Sequence, residues 1–197
     1  MAEPPLQFWF EFASPYTYIA AERIEALAEK AGVAVTWKPF LLGPVFHALG
    51  TKPPAESQPW KVSYIWRDIE RLCEKHGLPV RPPSKHPRFT LLAARVALVG
   101  LSRDWGVDFV KKVFRANFAE DRDIADKKVI GEILHSIGQP AEAVLDYATS
   151  PDIKQQLRQQ TEQAIQLGIF GSPTFLVGNE IFWGQDRLED AIAWAAP

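Results

Sequence analysis

The sequence predicts an α/β fold in which a β-α-β unit and a late β-β-α unit enclose a long helical segment. A short, aromatic strand-like run near the N-terminus is followed by a helical pattern and a second strand-like run. The middle of the chain then follows helical periodicity throughout. The strand signal returns after Pro173 and ends in a last helix. This order places two separated strand regions in one sheet and a block of helices between them.

The first unit spans the N-terminal forty residues or so. The run from Leu6 to Phe12 is short and aromatic and is bounded by prolines, which favours a buried strand. Apolar residues then recur at helical spacing up to a stop at Gly32, namely Ile24, Leu27, Ala28 and Ala31. The β-branched and aromatic residues of 33–40 predict a second strand. A crossover of this kind implies that the two strands are parallel.

The middle segment carries a series of apolar helical stripes. One stripe includes Cys73, another covers Leu91 to Val99, and Ser150-Pro151-Asp152 begins a helix that stops at Gly168. The remaining stripes are Val110, Val113, Phe114 and Phe118, followed by Val129, Ile130, Ile133, Leu134 and Ile137. The proline-rich stretches 52–59 and 79–87 are flanked by helices, so we interpret them as loops rather than domain linkers.

The last unit restores the strand pattern. Thr174 to Val177, the turn Gly178-Asn179 and Ile181 to Trp183 predict a hairpin, and Arg187 to Ala195 predicts a final helix. The order βαβ, helical block, ββα is that of a thioredoxin-like domain with a large inserted helical domain. We therefore predict a discontinuous thioredoxin-like domain over 1–42 and 168–197, with an all-helical domain over 43–167.

Composition narrows the functional classes. The 197 residues carry 22 basic and 24 acidic side chains, and the formal charge of -2 without any Lys/Arg run gives no reason to expect a nucleic acid or a membrane surface as partner. The N-terminus is not a signal peptide, and no apolar stretch approaches the ~20 residues of a membrane span. One cysteine excludes a disulfide framework, and the four histidines have no metal-site spacing. We expect a soluble, cytoplasmic protein without a metal.

Ser14 is the first candidate site residue, and it has two interpretations. A serine before a proline is an ordinary helix N-cap, as at Ser150-Pro151. In the thioredoxin layout, however, this turn carries C-x-x-C in redox proteins, and here Ser14 and Thr17 occupy the two cysteine positions. Dithiol chemistry is therefore impossible at this site. A helix N-terminus stabilises an anion, and a hydroxyl there can donate to a thiolate. We expect that sulfur to come from glutathione.

Ser172-Pro173 is the second candidate. The usual X-Pro bond is trans and would simply begin a strand. In the thioredoxin layout this proline is cis and faces the start of the first helix, so that the backbone of the preceding residue can pair with an extended peptide. Glutathione is such a peptide. We predict a cis bond close to Ser14.

Other polar residues have both a structural and a functional interpretation. Asp186 begins the final helix, where it can offset the helix dipole or accept the glutamyl ammonium of glutathione beside Gln185. Lys61 and Arg88 can meet a substrate carboxylate or be solvated charges. Cys73 lies on an apolar helical face, so we expect it in the core rather than acting as a nucleophile.

Several segments together resemble one enzyme family. The segments FWFEFASPYTYIA, KPPA, WRDIERL, FGSPTFLVG and IFWGQDRL are similar to those of the 2-hydroxychromene-2-carboxylate isomerases. These isomerases are related to kappa-class glutathione transferases and to DsbA-like oxidoreductases. The resemblance covers nearly the whole chain, and the combination of an N-terminal SPY with GSPTF and FWGQDR is its most specific part.

The resemblance implies a glutathione-binding homodimer. It matches the catalytic serine to Ser14 and implies that glutathione is bound by a set of residues in three segments: Ser14, Pro15 and Tyr16; Gly171, Ser172 and Pro173; and Trp183, Gly184, Gln185 and Asp186, with Thr51 added from the insertion. Relatives commonly have Asn at Thr51 and at Phe89, so the two departures concern the part of the chain that selects the substrate.

The predicted activity is the glutathione-dependent interconversion of 2-hydroxychromene-2-carboxylate and trans-o-hydroxybenzylidenepyruvate in aromatic degradation. Lys61 and Arg88 are the predicted substrate contacts. Two alternatives stay open: a kappa-like glutathione transferase or peroxidase acting on another electrophile, and a glutathione- or peptide-binding module without turnover.

Overall fold

A computed structural model describes residues 6–53 and 59–196 of the chain. The strands are β1 (Leu6–Phe10), β2 (Val35–Pro39), β3 (Thr174–Val177) and β4 (Glu180–Trp183). The first helices are α1 (Pro15–Ala31), α2 (Leu42–Ala48), α3 (Pro59–His76) and α4 (Leu91–Leu101). They are followed by α5 (Gly106–Phe118), α6 (Lys127–Ser136), α7 (Ala141–Ala148), α8 (Pro151–Gln166) and, after a 3-10 turn at Gln185–Arg187, α9 (Leu188–Ala195).

The four strands form one mixed sheet in the order β2-β1-β3-β4. β1 pairs parallel to β2 with Phe8 opposite Trp37, as the short crossover predicted. β1 pairs antiparallel to β3, with Phe8 opposite Phe175, and β3 pairs antiparallel to β4. The late hairpin is thus joined to the first strand, which confirms the predicted thioredoxin-like fold and brings the ends of the chain into one sheet.

The alternation of side chains along β1 divides the core between the two faces of the sheet. Phe8 and Phe10 point to a large cluster that includes α1, α9 and the helices α4 to α7. Trp9 points the other way and packs in a smaller cluster with Val45 of α2 and Ala164 of α8. Helices therefore cover both faces, and β1 and β3 are the two inner, buried strands.

Two features of the helical segment differ from the sequence expectation. The short helices α2 and α7 did not stand out in the sequence. In addition, α8, which the predicted boundary at 167 assigns to the insertion, packs against the sheet in the smaller cluster. The larger cluster also runs without a break from the sheet into the helical segment. The division into two domains at these boundaries stays a prediction.

The two proline-rich stretches have different outcomes. Residues 79–87 form a loop between α3 and α4, as expected, and it contains a cis bond at His86–Pro87 that the sequence analysis did not anticipate. Most of the stretch 52–59 lies outside the described residues. Within the described ranges, no helix combines the length and the apolar character needed to span a bilayer.

Candidate functional site

Ser14 lies at the N-terminus of α1, directly after the turn that follows β1. Its backbone is extended, Pro15 is the first helical residue, and the Thr17 N–H donates to Ser14 Oγ at 3.3 Å. The helix has no acidic residue in its first turn, so no side chain of that turn neutralises the positive end of its dipole. The capping interpretation of Ser14 is confirmed, and the local field favours an anion beside it.

A second set of contacts joins Ser14 to the loop before β3. The Ser172–Pro173 bond is cis, as predicted. The Ser14 hydroxyl donates to the carbonyl oxygen of Ser172 at 2.8 Å. Ser14 is 8% exposed, so this contact is largely shielded from water. The two segments that the sequence analysis singled out, separated by more than 150 residues, therefore meet at this hydrogen bond.

This hydrogen bond determines what Ser14 can do chemically. In the structure its single proton goes to Ser172 and its oxygen accepts from Thr17. To donate to a thiolate, the hydroxyl must turn away from the Ser172 carbonyl. The exchange is favourable because a hydrogen bond to an anion is stronger than one to a neutral carbonyl. Ser14 can therefore cap the helix in both states and donate outward only when an anion is present.

The side chains of Thr17 and Ser172 close the inner side of the site. Their hydroxyl oxygens lie 2.8 Å apart, and the Glu11 N–H donates to Ser172 Oγ at 2.9 Å. Thr17 is fully buried. Where a redox protein of this fold has its second cysteine, this chain has a hydroxyl used for internal hydrogen bonding.

Gly171 and Trp183 are brought together beside the cis proline. A Cβ atom at Gly171 would lie only 2.2 Å from Nε1 of the Trp183 indole, so the residue must be glycine for the indole to lie where it does. Trp183 is 53% exposed and packs edge-on against Phe170, with ring centroids 4.9 Å apart. The two rings form an open aromatic surface next to the site.

Gly184 links this aromatic surface to the predicted glutamyl-binding segment. Its φ of 110° is a backbone conformation that side chains disfavour, and its N–H donates to the carbonyl of Pro173 at 3.0 Å. Gln185 is buried and accepts from Arg23 Nη1 at 3.3 Å. Asp186 is exposed and forms an ion pair with Arg187 at 3.2 Å. The segment is thus fixed against the cis-proline loop while one carboxylate faces solvent.

A cleft of about 300 Å³ lies between α1, α3 and the start of α9. Gln185 and Asp186 contribute to it, together with Arg23 and Glu189, which pair with each other. The other lining residues are Leu72, Lys75 and His76 of α3. Its lining provides cations, anions and an amide within one open surface.

Tyr16 connects the first turn of α1 to α3. Its hydroxyl donates to Asp68 Oδ2 at 2.9 Å. Burial first, and then the hydrogen bond to Asp68, hold the pKa of Tyr16 well above its usual value, and the charges of Tyr64 and Asp186 add to this. Tyr16 is therefore a neutral hydrogen-bonded side chain at neutral pH. Pro15 is buried beside it.

Three predicted residues lie away from these contacts. Thr51 is exposed, and its N–H donates to Phe46 at the end of α2. Lys61 is exposed near the start of α3. Arg88 is 6% exposed, and its guanidinium group is bound by Asn117 and by Asp121. Its burial and these internal partners argue against the predicted contact with a substrate carboxylate and give Arg88 a structural role.

Glu11 is the residue of this site that the sequence analysis missed. It is 4% exposed, and burial raises the pKa of its carboxyl group to about 7 against the lowering effect of Thr90 and of backbone N–H donors. The one available signal was an acidic residue inside an aromatic strand-like run, three positions before Ser14.

Cys73, the only cysteine of the chain, lies in the core on α3. It is fully buried, and burial raises the pKa of its thiol to about 11. A buried thiol with a raised pKa forms little thiolate at neutral pH. The expectation that Cys73 is a core residue is confirmed.

Comparisons with known proteins find similar chains over nearly the full length of this one. The family model described as DSBA-like thioredoxin domain matches residues 5–192. A 2-hydroxychromene-2-carboxylate isomerase from Sphingobium xenophagum is 27% identical over 93% of this chain and 94% of its own length. The glutathione S-transferase kappa 1 of Caenorhabditis elegans is 25% identical over 94% of this chain and 88% of its own.

A solved structure extends the likeness to the whole fold. The structure of a selenomethionine 2-hydroxychromene-2-carboxylate isomerase superposes with a TM-score of 0.86 at 25% identity. It covers 96% of this chain and 94% of the other. The likeness therefore includes the helical segment as well as the sheet.

Proposed function

The chain belongs to the DSBA-like thioredoxin family, and within that family we propose that it is a glutathione-dependent isomerase. The proposed reaction interconverts 2-hydroxychromene-2-carboxylate and trans-o-hydroxybenzylidenepyruvate during aromatic degradation. The similarity to an isomerase of that name over almost the full length of both chains supports the reaction class. Homodimer assembly and a cytoplasmic location are further parts of the proposal and rest on the family resemblance.

One observation carries the proposal. A serine hydroxyl at an uncompensated helix N-terminus lies 2.8 Å from the carbonyl of the residue before a cis proline, and neither site segment contains a cysteine. This arrangement suits an anion that comes from outside the protein. A thiol peptide bound along the Ser172 backbone would place its sulfur near Ser14. The described residues therefore fit glutathione better than they fit a resident nucleophile.

The residues around the cleft also suit the two ends of glutathione. The exposed carboxylate of Asp186 can accept the glutamyl ammonium group. Lys75 lines the same cleft and offers positive charge to a carboxylate, while Arg23 is paired with Glu189. Gly184 holds this segment on the cis-proline loop through the carbonyl of Pro173, which keeps both parts of the site in register.

The chemistry proposed for the site is covalent catalysis with a borrowed nucleophile. Glutathione, when bound, supplies a thiolate that adds reversibly to the conjugated substrate, so that a double bond becomes a single bond able to rotate before the thiol leaves. Ser14 has the task of donating its hydroxyl proton to the sulfur anion, and the N-terminus of α1 stabilises the same charge. Both effects lower the thiol pKa and keep the sulfur nucleophilic near neutral pH.

A kappa-like glutathione transferase or peroxidase is the second candidate. The same thiolate would act on another electrophile, and the similarity to a kappa transferase over most of both chains favours it. A module that binds glutathione or a peptide without turnover is the third. Such a module would keep the glutathione-binding site without forming a thiolate.

We expect the isomerase activity to disappear when glutathione is omitted, because the chain has no exposed thiol of its own in the described residues. Cys73→Ala serves as the matched control and should keep nearly full activity, since that thiol is buried. The measurement is product analysis with the chromene acid, with and without glutathione. Full turnover without any thiol would contradict the mechanism.

The same preparation separates the three candidates. An ultraviolet absorbance increase on mixing with glutathione would report a thiolate and exclude the binding module. Isomer formation would then distinguish the isomerase from a transferase, which would give a stable glutathione conjugate instead. If neither signal is seen, both enzymatic functions are excluded.

A further inference from the structure

Glu11 has a special place between the two serines of the site. Its N–H donates to Ser172 Oγ at 2.9 Å, and its carbonyl oxygen accepts from the Ser14 N–H at 3.2 Å. One residue therefore fixes both the side chain that lines the inner site and the backbone from which the reactive hydroxyl projects. Any movement of Glu11 would be transmitted to both serines.

The side chain of Glu11 also holds the turn between β1 and α1 in place. One carboxyl oxygen accepts from the Ala13 N–H at 2.9 Å, and the other accepts from the Thr90 hydroxyl. Thr90 directly precedes α4, so the carboxyl group also joins the turn to the helical segment. Both donors are neutral, and no counter-ion contacts the carboxyl group among the described residues.

We infer that Glu11 is a positioning residue of the serine site: its carboxyl group holds the turn that presents Ser14, and its negative charge opposes an anion bound there. The inference rests on the proposed function, because the anion is the glutathione thiolate. Two like charges in one partly buried region disfavour each other, so ionised Glu11 raises the thiol pKa and neutral Glu11 lowers it. Because burial brings the pKa of Glu11 to about 7, both charge states exist near neutrality.

The other groups around Glu11 do not change this dependence of the thiol pKa on the charge of Glu11. Thr90 faces it from the start of α4, and the backbone N–H groups of Phe12 and Ala13 face it from the turn. Arg88, two residues before Thr90, has its charge paired with Asp121. From α5, Asn117 donates its neutral amide to the carbonyl of Phe12, and the uncharged ring of Phe114 packs against the Phe12 ring.

On α1, the Tyr16 hydroxyl is held neutral by burial and by Asp68, and the first turn has no acidic residue. Asp68 itself accepts the hydrogen bond of the Tyr16 hydroxyl from the side of α3. Glu11 is therefore the ionisable group whose hydrogen bonds reach the turn that carries Ser14, while the neighbouring charges have partners of their own.

Glu11→Gln tests the charge while keeping the shape. A glutamine oxygen can accept from Ala13 and its amide can donate to the Thr90 hydroxyl. In the variant we expect the pKa of protein-bound glutathione, measured by thiolate absorbance, to fall by roughly half to one unit. Glu29→Gln makes the same chemical change at an exposed position of α1 and should leave that pKa unchanged. An unchanged or higher thiol pKa in Glu11→Gln would overturn the inference.

The ligand-free protein provides a readout that does not need glutathione. The folded-state pKa of Glu11 is raised from 4.5 to about 7, so its proton is held more tightly in the native state than in the unfolded chain. The stability from this proton is complete below about pH 4.5 and is lost as the pH rises through 7. The stability of the wild type relative to Glu11→Gln should therefore fall over this window.

A stability difference that does not change with pH would overturn the inference. Absence of any glutathione thiolate in the wild type would instead refute the proposed function and, with it, the effect of Glu11 on the thiol; the ligand-free comparison would then test only the Glu11 carboxyl group in the folded turn. If Glu11→Gln fails to fold, Thr90→Val removes one donor to the charged carboxylate and should extend the stability loss to higher pH. If the midpoint pH of this stability loss is unchanged in Thr90→Val, that result would count against the inference.

Discussion

Two helices of this chain begin with the same dipeptide, and only one of them begins at the candidate site. Ser14-Pro15 starts α1 and Ser150-Pro151 starts α8. In both, the serine backbone is extended, the proline is the first helical residue, and the serine oxygen accepts a backbone N–H three residues on, at 3.3 Å from Thr17 and 3.4 Å from Ile153. In these capping features the two helix starts are equivalent, but the first turn of α8 contains Asp152, whereas that of α1 contains no acidic residue.

The two serines also differ in the hydrogen-bond acceptor available to the hydroxyl group. The Ser14 hydroxyl donates to Ser172 of the cis-proline loop, whereas the hydrogen bonds of Ser150 are the capping bond from Ile153 and backbone bonds to residues within four positions of it in the chain. Proline at the first position of a helix and serine before it are ordinary capping features. The comparison teaches that the candidate site comes from tertiary placement: the sheet brings Ser172 to Ser14, and nothing equivalent reaches Ser150 among the described residues.

The most direct test of this difference is to remove each of the two serine hydroxyl groups in its own variant. Ser14→Ala and Ser150→Ala should each destabilise the protein by about 0.5–2 kcal/mol through the lost cap, measured by denaturant unfolding. Only Ser14→Ala should lower the glutathione-dependent rate, by roughly a hundredfold, because it alone removes a donor to the developing anion. Its pH–rate profile should also move to higher pH as the bound thiol becomes less acidic.

Equal effects of the two variants would reduce Ser14 to a cap. The decisive observation is Ser14→Ala with the wild-type rate and the wild-type pH profile, whatever the loss of stability. A lower rate without a shift of the pH profile would instead separate catalysis from thiol activation.

A second comparison concerns two glycines with different surroundings. Gly171→Ala would place a Cβ atom 2.2 Å from Trp183 Nε1, whereas at Gly131 of α6 the nearest atom would be 3.7 Å away. We expect Gly171→Ala to cost about 1–3 kcal/mol of stability through overpacking. It should also weaken glutathione binding roughly tenfold, about 1.4 kcal/mol, by displacing the indole.

Gly131→Ala is the matched control, since it makes the same change in a helix with room for the methyl group. It should stabilise the protein by about 0.5–1 kcal/mol and leave glutathione binding unchanged. Isothermal titration with glutathione and unfolding curves measure both quantities. Wild-type affinity in Gly171→Ala would show that the position of Trp183 does not matter for binding.

The sequence predicted the elements that carry strong periodicity and marked turns. The two strand regions, the hairpin turn at Gly178 and the long helices follow from local patterns that agree with the tertiary fold. The short helices α2 and α7 lack a long periodic stripe, so they emerged only with packing. The placement of α8 on the sheet also depends on Ala164, which looks the same in sequence whether it faces the sheet or other helices.

The candidate site followed from the sequence only in part. Ser14, Ser172 and Pro173 came from the order of elements together with the family resemblance, and the structure brings them together. The partners that hold them could not be read from local patterns. Glu11 and Thr90 meet across 79 positions, and Arg88 turns inward to Asp121 because a loop after α5 brings that carboxylate to it. Such pairings are set by packing rather than by periodicity.

The smallest expected effect on activity comes from the side chain that supports the site from inside. Ser172→Ala keeps the backbone carbonyl that accepts from Ser14, but it removes the oxygen that binds the Glu11 N–H and the Thr17 hydroxyl. Leaving these buried groups without a partner should cost about 1–3 kcal/mol of stability. The rate should change only a few-fold, because the reactive hydroxyl keeps both of its own hydrogen bonds.

Ser102→Ala is the control for this last variant, since its hydroxyl makes one bond to a carbonyl at the exposed end of α4. It should lose less stability than Ser172→Ala and none of the activity. If Ser172→Ala instead lowers the rate as much as Ser14→Ala does, the side chain of Ser172 takes part in the reaction. What distinguishes Ser14 from Ser150 would then be a pair of hydroxyl groups, and not one hydroxyl beside a backbone carbonyl.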